Sequence, residues 1–157
     1  MKTRNLILGM LLIFGVAMSS CKKDDDSGDP GTGGSGTLTL KYDGTSWDAS
    51  LAVVGVNTNG VVNVTGSDSQ AHQASVILYG ATGPGTYEVS AGLQNQLRWT
   101  EGIGQNDTYV ANGILGTGTI TVTELTSSKV VGTFSFTGYN TNGDTKQITD
   151  GQFNATF

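Results

Sequence analysis

The sequence predicts an all-β domain over residues 38–157, a mostly antiparallel β-sandwich or closed barrel of about 8–10 strands, with the sandwich preferred. Three observations carry this expectation. No stretch of the domain places apolar residues at sustained 3.6 spacing, so amphipathic helices are not expected. Short runs rich in Val, Ile, Thr, Tyr and Phe alternate with Gly, Asn and Asp punctuation. Without helical crossovers, neighbouring strands must be joined by tight reversals, which makes the pairing antiparallel.

In chain order the strands fall near Leu38–Tyr42, Ser46–Val56, Val61–Thr65, Gln73–Tyr79, Thr86–Ser90, Leu97–Thr100, Thr108–Asn112, Gly118–Leu125, Lys129–Gly138 and Thr145–Phe157. Asp43-Gly44, Asn59-Gly60 and Asn142-Gly143 offer the positive-φ positions of tight hairpins. Gly83-Pro84-Gly85 forces a further reversal before Tyr87.

Side chains alternate across a strand, so period-two patterning assigns faces. Trp47, Leu51 and Val53 share one face; Ile120 pairs with Val122, and Val130 with Phe134 and Phe136. In the last strand Ile148 has even parity, whereas Phe153, Ala155 and Phe157 have odd parity. Burying all four requires a one-residue slip, which predicts a β-bulge near Asp150-Gly151. The apolar terminal residue Phe157 predicts a paired and packed C-terminus.

Residues 1–20 read as a lipoprotein signal peptide. Lys2 and Arg4 form a positive n-region, and Leu6 to Met18 form an apolar run of 13 residues. A membrane-spanning helix needs about 20 residues, whereas a secretory core needs about 7–15. The single cysteine, Cys21, follows Met18-Ser19-Ser20. This resembles a bacterial lipobox, with Met18 where Leu is usual, and it implies lipidation of Cys21. Ordinary cleavage after Ser19 is the alternative, and it would leave a purposeless free thiol. Residues 21–37 form an acidic, Gly/Ser-rich tether without large apolar side chains, a composition expected to remain disordered. Within it, Cys21-Lys22-Lys23-Asp24-Asp25-Asp26 resembles the Lys-plus-acidic address of surface-exposed Bacteroidetes-type lipoproteins. That implies a lipid-anchored outer-membrane protein facing the cell surface, with the periplasmic face as the alternative.

The chain holds 8 basic and 13 acidic residues, and two of the basic ones leave with the signal. No basic cluster remains, so nucleic acid is not an expected partner and attachment to the membrane should come through the lipid at Cys21. Oligomeric state is left open by the sequence.

From Leu38 onward the chain resembles an uncharacterised family of all-β Bacteroidetes lipoprotein domains. The resemblance rests on Gly85-Thr86-Tyr87, Gly118-Thr119-Ile120-Thr121-Val122, Gly132-Thr133-Phe134-Ser135-Phe136 and Ile148-Thr149-Asp150-Gly151-Gln152-Phe153-Asn154. It implies a fold and a location, but no activity and no site residues.

No catalytic residue, cofactor or metal site is predicted. His72, the sole histidine, lies in the polar stretch Ser67–Gln73 and reads as a solvated loop residue. No nucleophile elbow accompanies it. One histidine and one lipidated cysteine cannot build a usual zinc site, and the Asp24–Asp26 run lacks the ligand spacing of an EF-hand. A calcium site assembled from separate loops stays open. Glu88, Glu101 and Glu124 are the carboxylates available for glycosidase chemistry, which needs a facing pair. Glu88 and Glu124 fall on polar strand faces, where solubilising charges belong. The binding candidates are Trp99, Arg98, Gln105 and Asn106: an exposed Trp99 beside a polar loop would suit a sugar ring. Strict alternation favours the other arrangement, with Leu97 and Trp99 in the core.

The sequence thus predicts a non-enzymatic envelope binding or interaction module with a glycan, protein or small-molecule ligand. A structural envelope component without a ligand, and a surface polysaccharide hydrolase, are the alternatives.

Overall fold

The computed structural model describes residues 36–157. The expected signal peptide, the expected lipidation site Cys21 and the expected tether up to residue 35 lie outside the described residues. The described residues form eleven strands: β1 Gly36–Tyr42, β2 Thr45–Asp48, β3 Ala52–Thr58, β4 Val61–Ser67, β5 Gln73–Tyr79, β6 Gly85–Val89, β7 Gln96–Thr100, β8 Thr108–Ala111, β9 Thr117–Leu125, β10 Lys129–Tyr139 and β11 Thr145–Thr156. Every pairing is antiparallel, and all eleven strands belong to one connected, curled sheet.

The branching of this sheet explains how both a sandwich and a barrel could be anticipated. Residues Val130 to Thr137 of β10 pair with β9, whereas Tyr139, near the end of β10, pairs with Val110 of β8. One wing therefore runs β6-β9-β10-β11-β1-β2, and the other runs from β8 through β7, β5 and β4 to β3. The wings fold over a common core. Leu38, Leu40, Trp47, Ile120, Val122, Phe134, Phe136, Ile148 and Phe153 fill it from the first wing; Val53, Val62, Val64, Val76, Leu78, Leu97 and Trp99 fill it from the second. No ladder joins the end strands β2 and β3 among the described residues, so the sheet curls without closing.

The expected single strand Ser46–Val56 is two strands. At residues 49–51 the chain leaves the first wing for the second: Ala49 N–H donates to the Leu38 carbonyl at 2.9 Å, and Leu51 N–H donates to that of Ser67 at 3.0 Å. This crossover breaks the alternation, so Trp47 and Val53 are buried while Leu51 is 65% exposed, which corrects its expected place in the core. β1 also begins at Gly36, two residues inside the expected tether, because Gly36 and Thr37 pair with Ala155 and Asn154.

The bulge expected near Asp150-Gly151 is present. Both ladders of β11 shift register there, and Asp150 takes φ 51°. The slip brings Ile148, Phe153 and Ala155 to the same interior. Phe157 N–H donates to the Ser128 carbonyl at 3.0 Å, so the C-terminus is tied down. Asp43-Gly44 and Asn59-Gly60 have both residues at positive φ, as a two-residue hairpin of the primed type requires. At Asn142-Gly143 only the glycine does, because Asn140 Oδ1 accepts the N–H groups of Asn142 and Asp144 and organises the turn instead.

Candidate functional site

The binding candidates do not converge. Trp99 is fully buried, which corrects the exposed sugar platform: its indole packs against the rings of Tyr42, Trp47 and His72. Its Nε1–H donates to Glu101 Oε1 at 3.0 Å. Arg98, the adjacent strand residue, projects to the opposite face. Asn106 is held against the β10–β11 turn, where its side-chain oxygen accepts from Thr141 Oγ1 at 2.6 Å and its carbonyl from Asn140 Nδ2 at 3.0 Å. Gln105 is exposed on the same loop.

His72 is not a solvated loop residue. Its ring stacks on Trp99 at 5.6 Å and 13°, and its Nδ1 lies 2.7 Å from Asp68 Oδ2. An ionised carboxylate only accepts, so Nδ1 carries the proton. Asp68 also accepts from Trp47 Nε1 at 2.8 Å and from the N–H groups of Gln70 and His72. Beside this group, Lys146 bridges Glu101 at 2.7 Å and Asp43 at 2.8 Å, and it faces the Tyr42 and Tyr109 rings. Burial works against the charged lysine, yet its two carboxylate partners raise its pKa. The cluster gathers aromatic rings against the core, and the Trp47 and Trp99 indole N–H groups and His72 Nδ1 each meet a carboxylate. None of the hydrogen bonds among the described residues joins His72 to a serine or threonine hydroxyl, so the Asp68–His72 pair lacks a positioned nucleophile.

Burial alone would raise the Asp68 pKa, but the hydrogen bonds from His72, Trp47 and two backbone N–H groups together outweigh it and lower the pKa to about 2. The folded value lies below the ordinary aspartate value of 3.8, so the stabilisation is present above pH ~4 and is lost as pH falls toward ~2. Acid titration of unfolding free energy should show a loss of about 2 kcal/mol across that window, and Asp68→Asn should remove that component. An unchanged acid profile in the variant would contradict this assignment.

The outer face of the first wing carries a different arrangement. Register aligns Thr86, Thr121, Thr133, Gln152, Thr39 and Asp48 in one row across β6, β9, β10, β11, β1 and β2. A second row runs Glu88, Thr119 and Ser135, then past the Thr149–Asp150 bulge to Lys41 and Ser46. A shallow groove follows this surface and is lined from Thr119 and Thr121 on β9 to Ser46 and Asp48 on β2. The Lys41 ammonium lies 3.0 Å from Asp150, so these two groove charges offset each other. Glu88 and Glu124 stand on separate strands without facing one another: Glu88 accepts from Thr119 Oγ1 and Glu124 from Lys129. Among the described residues, no group of three His, Cys, Asp or Glu side chains could hold a metal ion.

Sequence reasoning missed this face because a row becomes visible only once register is known. A signal was available in alternate threonines at 117, 119, 121 and 123 and the hydroxyls at 133, 135 and 137. Two of the three Gly-Thr pairs of the family resemblance, Gly118-Thr119 and Gly132-Thr133, acquire a physical meaning here. Gly118 lies opposite Phe136 and Gly132 opposite Phe153, where a Cβ would collide with the partner residue. The following Thr119 and Thr133 point outward into the polar rows. Glycine makes room for the core, and threonine furnishes the surface.

No curated protein and no solved structure matches the chain. The model of one family, described as a domain of unknown function (DUF6252), matches residues 35–156, which spans the whole β domain, and the chain belongs to that family.

Proposed function

We propose that the protein is a lipid-anchored envelope component whose β domain is a non-enzymatic binding module for neutral glycans. The observation that carries the ligand class is a row of five hydroxyl and amide side chains, ended by the Asp48 carboxylate, across six adjacent strands. Strands are spaced about 4.8 Å apart, so the row extends roughly 24 Å, long enough for an oligosaccharide. Each threonine hydroxyl both donates and accepts, as does the Gln152 amide, which matches the paired donor and acceptor demand of sugar hydroxyls. Lys41 and Asp150 pair with each other, and Asp48 at the β2 end adds a carboxylate that can accept from sugar hydroxyls. Recognition rests on many hydrogen bonds rather than on ring stacking, so affinity per site is modest and repetition along a polymer supplies the rest.

The location is supported by the apolar run Leu6 to Met18, the lipobox-like Met18-Ser19-Ser20-Cys21 and the Lys22–Asp26 address. On this reading Cys21 carries the acyl chains in the outer membrane, and the acidic tether holds the module away from the cell surface.

Affinity electrophoresis of the full chain through gels containing soluble neutral glucans, mannans or xylans tests the ligand class. Retardation by at least one polymer is expected. Thr121→Val/Thr133→Val should weaken it by about thirtyfold without unfolding the domain, since two hydrogen bonds of about 1 kcal/mol are lost. Unretarded migration through every gel would sink the glycan reading. In cells of the source envelope type, Cys21→Ser should shift the protein from the membrane to the soluble fraction, and continued membrane retention would count against the anchor.

A further inference from the structure

The outer face of the second wing is built for another kind of contact. Its central row runs Val54, Thr65, Ser75, Arg98, Val110 and Tyr139 across β3, β4, β5, β7, β8 and β10. Val54, Val56, Tyr79 and Tyr139 are 46%, 45%, 42% and 36% exposed, so the face keeps apolar and aromatic surface in water. Arg98 stands in the middle. The other three cations of the described residues, Lys41, Lys129 and Lys146, each hold a carboxylate. The Arg98 side chain makes no ion pair or hydrogen bond among the described residues, and its Nε is shielded from water with no partner. The five strands β3, β4, β5, β7 and β8 contain no Asp or Glu, although the chain as a whole is acidic.

We infer that this face docks a protein partner that presents an Asp or Glu carboxylate within an apolar patch. A donor without an acceptor is costly, and an unpaired planar guanidinium, here between Ser75 and Val110, gains most from a carboxylate, which it can grip through two parallel hydrogen bonds. Tyrosine and arginine are also the residue types enriched at energetically dominant interface centres. A second copy of this chain is a poor occupant: a two-fold contact centred here would set Arg98 against Arg98 and bring no carboxylate. The surface lies on the wing opposite the hydroxyl rows, so the inference stands apart from the glycan reading.

Panning a phage-displayed random peptide library on the full chain tests it. Enriched clones should carry an acidic residue flanked by aliphatic or aromatic ones. Their binding should fall by about tenfold or more on Arg98→Met, as expected for a central interface residue. It should fall equally on Val110→Glu, which supplies an internal carboxylate from the neighbouring strand, so the two variants check each other for misfolding. Thr121→Val/Thr133→Val should leave peptide binding intact, which separates this outcome from failure of the glycan reading. Absence of enrichment, clones without an acidic residue, or clones held equally by Arg98→Met would overturn the inference. Concentration-dependent dimerisation abolished by Val56→Glu would do so in favour of a second copy.

Discussion

Replacing Trp99 with alanine is expected to destabilise the domain by about 3–5 kcal/mol, the cost of deleting a large buried aromatic and leaving a cavity. That is a large share of the roughly 5–15 kcal/mol that holds a typical domain together, so the midpoint of thermal unfolding should fall by on the order of 15 °C. The size of the effect follows from what the indole touches. It meets Tyr42 at 4.9 Å, Trp47 edge-on at 5.0 Å and His72 stacked at 5.6 Å. Its Nε1–H also satisfies Glu101, which links the core to Lys146 and through it to the β1–β2 turn. Trp99→Phe keeps the ring contacts and leaves Glu101 its lysine, so it should cost about half as much or less. Urea denaturation of the two variants decides the matter. Had Trp99 been a ligand platform, Trp99→Ala would abolish binding and leave stability within ~0.5 kcal/mol of the parent, as surface substitutions do.

Trp99 also shows where the sequence was readable. Alternation in Gln96–Thr100 is a local property, and it placed Leu97 and Trp99 inward correctly. The β11 bulge was legible for the same reason, since the parity change between Ile148 and Phe153 admits no other way to bury both. What escaped depended on contacts distant in the chain. His72 reads as a polar loop residue until the fold sets it on Trp99, 27 positions later, and gives its loop the Asp68 carboxylate that also binds Trp47. Leu51 follows the pattern of Trp47 and Val53, but the pattern cannot show that the chain changes wings between them. The hydroxyl rows escaped in the same way: each strand shows its own alternate threonines, and only register sets six strands in line.

Gly132→Ala is expected to cost about 3 kcal/mol, and Gly132→Val more, enough to leave little folded protein. Gly132 is not at positive φ, so space rather than backbone conformation dictates the residue. A Cβ there would overlap the Thr121 carbonyl oxygen and lie 2.5 Å from Phe153 Cζ, and that ring is 1% exposed in the centre of the core. One obstacle is backbone in a ladder and the other is pinned by packing, so neither can yield cheaply. Gly60→Ala makes the contrast: nothing lies within 4 Å of its Cβ position, and its φ of +79° alone should cost about 1 kcal/mol. Combining Gly132→Ala with Phe153→Leu should cost less than the sum of the single changes, because the shorter side chain removes one of the two collisions. Strict additivity would place the whole penalty on the Thr121 carbonyl. Next to it, Thr133→Val changes the outer face at a cost within ~0.5 kcal/mol. Adjacent residues thus divide two duties: altering Gly132 should remove the fold and every binding function with it, whereas altering Thr133 should leave a stable domain and weaken only the proposed glycan contact.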